Sequence, residues 1–324
     1  MSAMRALVTG VGGFAGAAVA LRLAALGWTV VGSHGAARRP AAAIAAAGVL
    51  LVTHDLAQLA GAQALLRQAR PDIVLHMAGP TGQSDAGSSG DLFARHLHGH
   101  AITTALLLEA ARREAADAVL LIPGSSAQFG DVDPQLQPID AAQPYQPRTL
   151  YAVAKSAEAW AAAHYAQTHG LKIVRTHTFN CIGPGQRAAF VTAAFASQIA
   201  EMELGLAPKV LRVGNLAARR DVTDIRDVAR AYILAATRGQ PGRVYNVCSG
   251  TAPSVADLVE GLRALARVQY VIEQDPARLQ VVDIAVQIGD ATDLQRDTGW
   301  RPEIPLAQTL SDVLEEWRGT IRHN

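Results

Sequence analysis

The fold is decided by the stretch Thr9-Gly10-Val11-Gly12-Gly13-Phe14-Ala15-Gly16, which lies between an apolar run and an alanine-rich helical pattern. Gly10 permits a tight turn, Gly13 lets the backbone approach a pyrophosphate, and Gly16 allows the helix and the strand to pack closely. The helix N-terminus then offers free N–H groups to the phosphates. At the first strand–helix junction, this pattern predicts a dinucleotide-binding loop. Its predicted contact residues are Gly10, Gly12, Gly13, Phe14 and Gly16.

Short apolar runs alternate with longer alanine- and leucine-rich stretches through the first half of the chain. The predicted helices cover residues 14–26, 56–69, 92–113 and 151–168. The predicted strands are not polar on alternate residues, as expected for strands buried on both faces. The pattern therefore predicts an α/β fold with a doubly wound parallel sheet, a Rossmann fold, and right-handed crossovers. The predicted strands cover residues 5–9, 28–33, 49–53, 72–76, 118–123 and 172–178.

Beyond residue 178 the elements become shorter and are punctuated by proline and glycine. We expect residues 1–178 to form the dinucleotide-binding domain. Residues 179–324 are expected to form mainly a smaller α/β substrate-binding lobe, with some segments returning to the first domain. A substrate cleft is expected between the two.

The composition excludes several classes of partner. The 324 residues carry 29 Lys+Arg and 28 Asp+Glu, a net charge of +1, so no field of one sign indicates nucleic acid or an anionic membrane. Neither a signal peptide nor a membrane span fits the N-terminus. The two cysteines, Cys181 and Cys248, lack metal-ligand spacing and suit a reducing compartment. We expect a soluble, cytoplasmic protein with a small-molecule ligand.

The end of the second strand distinguishes the two nicotinamide dinucleotides. A carboxylate there would bind the ribose 2′-hydroxyl and repel a 2′-phosphate. The chain instead has Ser33 and His34, followed by Arg38 and Arg39. The lack of an acid and the nearby guanidiniums favour NADP(H). NAD(H) stays open, because two solvated loop arginines explain the same pattern. Further cofactor contacts are expected from His34, Arg38, Asp55, Leu56, Met77, Ala78 and Gly79.

Tyr151 and Lys155 lie one turn apart on one face of a predicted helix. To act as acid or base near neutral pH, a tyrosine needs its pKa lowered by about three, which corresponds to roughly 4 kcal/mol. A nearby ammonium and the positive ring of an oxidised nicotinamide both act in that direction. Such a pair alone is common on helix surfaces. After a dinucleotide loop it predicts hydride transfer at a carbon–oxygen centre, with Lys155 also holding the nicotinamide ribose.

Ser125 and Ser126 follow the fifth predicted strand, where a substrate carbonyl would lie. We expect Ser126, or alternatively Ser125, to donate a hydrogen bond to the reacting oxygen. Either serine alone is also typical of a turn.

The glycine loop, these serines and the Tyr151–Lys155 helix together resemble the extended short-chain dehydrogenase/reductases, the NAD-dependent epimerase/dehydratase family. Residues 178–186, 214–228, 244–250 and 298–302 are similar to the GDP-mannose branch of that family. The resemblance implies a nucleotide-sugar substrate. It also implies a homodimer built on helices 92–113 and 151–168, although these helices could equally serve only to cover the sheet.

Dehydratases of this branch carry a glutamate after the strand, which abstracts the C5 proton. Here the matching residues are Ala127 and Gln128, and neither can act as a base. The resemblance therefore implies reduction of the C4 keto group of a GDP-4-keto-6-deoxyhexose, as in GDP-D-rhamnose synthesis. It also implies substrate contacts from Asn180, Arg212 and Arg220, with the Arg220 guanidinium on a phosphate.

The chain departs from the family pattern at three places. The usual arginine near the nucleotide is replaced by Gln280, so we expect Arg278 to substitute for it, and the departure bears on whether the nucleotide is GDP. His96 stands where relatives commonly have asparagine, and Phe129 replaces a tyrosine. A metal site at His96 and His100 is not expected, because no carboxylate or cysteine accompanies them.

Two other functions remain open from the sequence. A nucleotide-sugar 4-epimerase with tightly bound NAD would use the same groups and return the hydride to the other face. A non-catalytic NAD(P)-binding sensor would keep the fold without the chemistry.

Overall fold

The computed structural model describes residues 4–35, 40–81, 90–278 and 284–322. The predicted cofactor residue Arg38, its neighbour Arg39 and the departure at Gln280 lie outside the described residues.

Parallel strands form the central sheet, and the outer pairs of the second half are also parallel. The strands are β1 (Arg5–Thr9), β2 (Thr29–His34), β3 (Leu50–Thr53), β4 (Ile73–His76), β5 (Val119–Ser125), β6 (Lys172–Thr178), β7 (Asn180–Ile182), β8 (Val210–Val213), β9 (Arg219–Arg220), β10 (Val222–Asp224), β11 (Val244–Val247), β12 (Val271–Gln274) and β13 (Val286–Gln287).

Seven of these strands make the sheet, in the order β11-β6-β5-β4-β1-β2-β3. Successive strands are added outward in one direction from β1 to β3 and in the other direction from β4 onward. The order of the strands therefore reverses between β1 and β4, and open α/β sheets bind their ligands at such a point. Strand β11 comes from the second half of the chain and pairs with β6. The predicted doubly wound parallel sheet is confirmed.

Helices cover both faces of this sheet and build the second half. They are α1 (Phe14–Ala25), α2 (Ala42–Ala46), α3 (Leu59–Ala69), α4 (Gly90–Leu97), α5 (Thr103–Glu114), α6 (Leu150–His169), α7 (Val191–Glu203), α8 (Ile225–Arg238), α9 (Val255–Leu265), α10 (Thr292–Thr298) and α11 (Leu306–Arg322). Short 3-10 turns cover Ser126–Phe129, Pro134–Leu136 and Pro276–Arg278.

The prediction of one uninterrupted helix over residues 92–113 is wrong. The single helix expected over 92–113 is two helices, α4 and α5, joined by a π-helical turn at His98–Ile102. A π turn accommodates an extra residue and is often found at functional sites. Here it places His100 against the end of β4, because the His100 ring packs on Gly79.

The apolar core lies on both faces of the sheet. Leu7 and Val8 are consecutive in β1 and both fully buried, but they belong to different clusters. A third cluster, in the second half, joins α7, α9 and α11 through residues such as Ile199, Leu262 and Val313. The second half of the chain therefore has an apolar cluster of its own. Across the described ranges, no helix is long and apolar enough to cross a bilayer.

Candidate active site

The loop after β1 has the shape that a pyrophosphate requires. Gly10 has φ +66°, and a Cβ added to it would lie 2.7 Å from the backbone of Ala78. A Cβ on Gly16 would collide with the carbonyl oxygen of Gly10. Gly13 is the N-cap of α1, no side chain caps this helix, and its first turn carries no acid. The N–H groups of this helix start therefore fit an anionic phosphate, with the half-buried Gly12 and Phe14 beside them.

The other predicted cofactor residues lie along the carboxyl ends of β2, β3 and β4. His34 is half-buried and its Nδ1 lies 3.1 Å from the carbonyl oxygen of Gly35. Asp55 is exposed and accepts the amide of Ala57 at 2.9 Å. Leu56 is buried in the apolar core, which leaves its backbone for the predicted contact.

The three residues after β4 border the same region. Met77 and Ala78 are half-buried, and Gly79 is exposed. The amide of Ala78 donates to the Thr9 hydroxyl at 3.1 Å, which ties the end of β4 to the end of β1. They lie at the reversal of strand order, and their contact with the adenosine side of the cofactor stays a prediction.

The Tyr–Lys pair lies at the start of α6. Thr149 caps this helix by accepting the amide of Ala152 at 3.1 Å, which fixes its first turn. Lys155 is only 8% exposed, and its ammonium donates to the carbonyl oxygen of Pro123 at 2.7 Å. The Tyr151 hydroxyl is hydrogen-bonded to Ser125 at the end of β5. The structure thus brings three of the predicted catalytic residues together.

The two serines have different partners. Ser125 accepts the amide of Ala127 at 3.3 Å and contacts Tyr151. Ser126 is buried and donates to Gln287 Oε1 at 2.9 Å, while Gln287 Nε2 donates back to the Ser126 carbonyl at 3.1 Å. Of the two serines, Ser125 is thus the one beside Tyr151, and Ser126 is held by Gln287. Which of them donates to the reacting oxygen stays a prediction.

Burial raises the pKa of Tyr151 above its usual value, which is opposite to the lowering expected from the sequence. The Lys155 ammonium acts to lower it, as expected, and so does the hydrogen bond to Ser125. Desolvation of the phenolate is the larger effect, and Glu158 adds to it. Tyr151 is therefore a protonated hydroxyl near neutral pH.

Three buried histidines surround the pair. The rings of His96 and His100 are stacked with centroids 6.0 Å apart, and each meets the Tyr151 ring edge-on, at 5.7 Å and 5.4 Å. His76 Nδ1 lies 2.8 Å from the Thr9 hydroxyl. Burial, and secondarily Lys155, lowers the pKa of His76 to about 3 and that of His100 to about 2. The His76 and His100 rings are therefore uncharged near neutral pH.

Of these three histidines, the sequence drew attention to His96 as a departure from the family pattern and to His96 and His100 as a rejected metal pair, and it did not indicate His76. Within the described part of the chain, no group of three or more His, Cys, Asp or Glu side chains is placed to hold a metal ion.

The predicted substrate residues fall into two places. Arg220 is half-buried in β9 and pairs with Gln287 of β13, the residue that holds Ser126. Asn180 is exposed at the start of β7, and its backbone N–H donates to the backbone carbonyl of Asp221 at 3.1 Å. Arg220 therefore lies beside the residue that holds Ser126, and Asn180 lies beside the backbone of Asp221.

Arg212 and Arg278 lie in β8 and in the 3-10 turn Pro276–Arg278. Arg212 is exposed on β8, with its guanidinium 3.8 Å from Glu273 of β12. Arg278 is exposed, and its Nε lies 3.3 Å from Asp275. The backbone of Arg278 packs against Gly214, so the two arginines lie near one another.

Sequence reasoning missed a buried carboxylate that orders these loops. Asp221 accepts the amide of Ser249 at 2.7 Å, its hydroxyl at 2.8 Å and the amide of Gly250 at 2.8 Å. Burial raises the pKa of Asp221, while these bonds act to lower it. Its position beside Arg220 in the sequence was the available signal.

A seven-stranded Rossmann sheet, a glycine loop and a Ser–Tyr–Lys set together define an extended short-chain dehydrogenase/reductase. The chain belongs to the GDP-mannose 4,6 dehydratase family, whose model matches residues 7–313.

Individual relatives agree with this assignment. The chain is 36% identical, over 252 residues, to a GDP-6-deoxy-D-mannose reductase of Pseudomonas aeruginosa, a match that covers 78% of this chain and 82% of that protein. The structure of RMD from Pseudomonas aeruginosa complexed with NADPH is similar with a TM-score of 0.82 and 30% identity, covering 98% of this chain and 100% of that one. The UDP-glucose 4-epimerase of Thermus thermophilus in complex with NAD gives a TM-score of 0.84 and 25% identity, covering 98% and 99%.

Proposed function

We propose that this protein reduces the C4 keto group of a GDP-4-keto-6-deoxyhexose with NAD(P)H, in GDP-D-rhamnose-type synthesis. One observation carries the proposal. The Ser–Tyr–Lys set is assembled, but neither residue after its serines is an acid: they are Ala127 and the amide Gln128. Its side chain is buried, accepts the amide of Ser125 at 2.7 Å and donates to the carbonyl of Lys155 at 3.3 Å. This position serves the geometry of the site and cannot abstract a proton.

The relatives support reduction at C4. The Pseudomonas aeruginosa protein is named for reduction of a GDP-6-deoxy sugar, and the RMD structure contains NADPH. We favour NADPH for this chain, with NADH as the alternative. The glycine loop and the uncapped start of α1 would hold its pyrophosphate, and Lys155 its nicotinamide ribose.

The proton chemistry follows from the site. NADPH, when bound, supplies the hydride that forms the new C4–H bond. Tyr151 donates its hydroxyl proton to O4 as the carbonyl π bond breaks, because burial keeps Tyr151 protonated. Ser125 donates a hydrogen bond to the same oxygen, and the Lys155 ammonium stabilises the phenolate that remains. The nucleotide and sugar would be bound mainly within residues 179–324, by Arg220, Asn180, Arg212 and Arg278.

The test is incubation with GDP-4-keto-6-deoxy-mannose and NADPH, with the product identified by NMR and Tyr151→Phe as the inactive control. We expect a GDP-6-deoxyhexose with a new hydroxyl at C4. Parallel reactions with dTDP- and UDP-linked 4-keto sugars test the nucleotide. Turnover confined to those two would contradict the GDP assignment and point to Gln280.

We also propose that the chain forms a homodimer through the outer face of α5 and α6. Trp160 is 63% exposed on α6, and Val153, two turns earlier, and Ile102 of the π turn are exposed as well. Exposed apolar side chains that cluster on neighbouring helices indicate an interface. Two copies of this face would form the four-helix contact of the family.

A cytoplasmic location is part of the same proposal. Cys181 and Cys248 are both free thiols. Free thiols of this kind persist in reducing compartments.

A further inference from the structure

One side of α6 carries a third ionisable residue in line with the Tyr–Lys pair. Tyr151, Lys155 and Glu158 are spaced four and three residues apart, so they form one stripe along the helix. Glu158 is only 1% exposed. Its Oε2 lies 2.5 Å from Lys155 Nζ, and its Oε1 accepts the hydroxyl of Thr104 from α5 at 2.8 Å. Both carboxylate oxygens are therefore engaged.

A buried ion pair of this kind needs a reason beyond stability. The cost of removing two charges from water offsets most of their mutual attraction, and apolar residues of the same volume are often as stable. What the pair changes is the charge next to Tyr151. A lone ammonium would favour the phenolate, whereas an ammonium compensated by a carboxylate favours it far less.

We propose that Glu158 is a positioning residue of the Tyr–Lys pair, which fixes the Lys155 ammonium behind Tyr151 and offsets its charge so that Tyr151 stays a proton donor. That Tyr151 must donate a proton rests on the proposed reductase function, since a reductase needs Tyr151 as an acid. Glu158 itself acts through Lys155 and is not placed against the substrate.

Besides Lys155 and Glu158, the Arg175 guanidinium lines this part of the site, and it donates to the carbonyl of Ala159 at 3.4 Å. Its charge is the same with and without the Glu158 carboxylate, so a change at Glu158 alters the charge next to Tyr151. Burial lowers the pKa of His76, His100 and His177, and raises that of Cys181 to about 11, so these groups are uncharged near neutral pH. Burial also raises the pKa of Tyr145 and Tyr232. Lys155 lowers the pKa of Tyr151 and Glu158 raises it. The titratable and charged groups that face the stripe come from several elements. They are His76 of β4, His96 of α4, His100 of the π turn, Tyr145 of the segment before α6, Arg175 of β6, His177 of β6, Cys181 of β7 and Tyr232 of α8.

Glu158→Gln keeps the size and the hydrogen-bonding reach of the side chain and removes its charge. The ammonium is then uncompensated, so Tyr151 should ionise at a pH lower by about one unit. The readout is the ultraviolet absorbance of tyrosinate during an alkaline titration of the full chain. Subtracting the Tyr151→Phe titration, in each background, isolates Tyr151 from the other tyrosines. Glu158→Asp, which restores the charge, should return the midpoint towards that of the native protein.

A merely structural Glu158 would not move this midpoint, so an unchanged or higher midpoint in folded Glu158→Gln overturns the proposal. If that variant does not fold, Thr104→Val decides, because it removes the hydroxyl that holds the carboxylate. It should shift the midpoint in the same direction, and Thr104→Ser should not. No shift in folded Thr104→Val overturns the proposal equally.

The two proposals fail separately. The tyrosinate titration needs no substrate, so it tests Glu158 even if GDP-4-keto-6-deoxy-mannose is not turned over. Where turnover is present, the alkaline fall of kcat should move to lower pH in Glu158→Gln, in step with the titration. Normal turnover with an unmoved alkaline fall leaves the reductase function intact and removes Glu158 from it.

Discussion

Ser125 and Ser126 are neighbours, yet their hydroxyls point to different partners. Ser125 contacts Tyr151, whereas Ser126 is held by Gln287. Ser125→Ala should therefore lower kcat by about a hundredfold, the usual effect of removing a donor to a developing oxyanion. Steady-state kinetics with the ketosugar measure it.

Ser126→Ala is the matched control. It removes the hydroxyl that donates to Oε1 of the buried Gln287, so it should lower the free energy of unfolding by about 1–3 kcal/mol and change kcat by less than about tenfold. A larger loss of kcat in Ser126→Ala than in Ser125→Ala, with both proteins folded, would contradict the assignment.

The sequence predicted the Tyr151–Lys155 pair but not the residues that hold it. The spacing of Tyr151 and Lys155 within one helix is visible in the chain. The partner of Ser126 lies 161 residues away, and Thr104, which binds Glu158, lies on another helix. Contacts between distant segments depend on packing that no local pattern encodes.

At the scale of elements, the glycine loop depends on two close backbone approaches. A Cβ at Gly16 would meet the carbonyl oxygen of Gly10, which is backbone and cannot move aside freely. Gly16→Ala should shift the loop at a cost of about 1–3 kcal/mol, which weakens NADPH binding by roughly ten- to a hundredfold. Fluorescence titration with NADPH measures this affinity.

Gly319→Ala provides the control, since Gly319 lies in α11 and a Cβ added there would meet open space. Its NADPH affinity should equal that of the native protein. Native affinity in Gly16→Ala would show that the cofactor does not use this loop.

The predicted elements agree best where the pattern is regular. Strands β1 and β6 have the predicted bounds, because short apolar runs between turns mark buried strands well. The break between α4 and α5 was missed, because a π turn inserts one residue into a helix without changing its composition. The outer pairs β8–β12 and β9–β13 were not assigned, since strands so short carry little periodicity.

At the scale of the whole molecule, the dimer proposal rests on exposed apolar side chains of α6. Trp160→Glu places a charge on that face and should convert the dimer to a monomer. Light scattering after size-exclusion chromatography measures the mass. Leu206→Glu, at a residue 67% exposed elsewhere on the surface, should leave the mass unchanged. A monomeric native protein, or a dimeric Trp160→Glu, would contradict this interface.

Stability should fall as the solution becomes acidic. The pKa of His76 falls from 6.5 to about 3 on folding, so below pH 6.5 the unfolded chain binds a proton that the folded one does not. Stability is thus complete above pH 6.5 and is lost as pH falls towards 3. At pH 5 this histidine contributes a loss of up to about 2 kcal/mol, and His100 and His177 act in the same sense.

Urea unfolding at pH 7.5 and pH 5 measures this loss. His76→Asn should show a smaller loss than the native protein, and the exposed His164→Gln the same loss. An equal loss in His76→Asn would mean that His76 is not buried in its neutral form.

The proposed reaction is a hydride transfer to C4 of a GDP-linked keto sugar. NADPH carrying deuterium at its transferable position, reacted with GDP-4-keto-6-deoxy-mannose, tests it most directly. We predict deuterium at C4 of the product hexose, with cofactor oxidised in proportion to product. A 4-epimerase would instead interconvert sugars without net oxidation of the cofactor. Product that lacks deuterium at C4, or that forms without consuming NADPH, would contradict the proposed reduction.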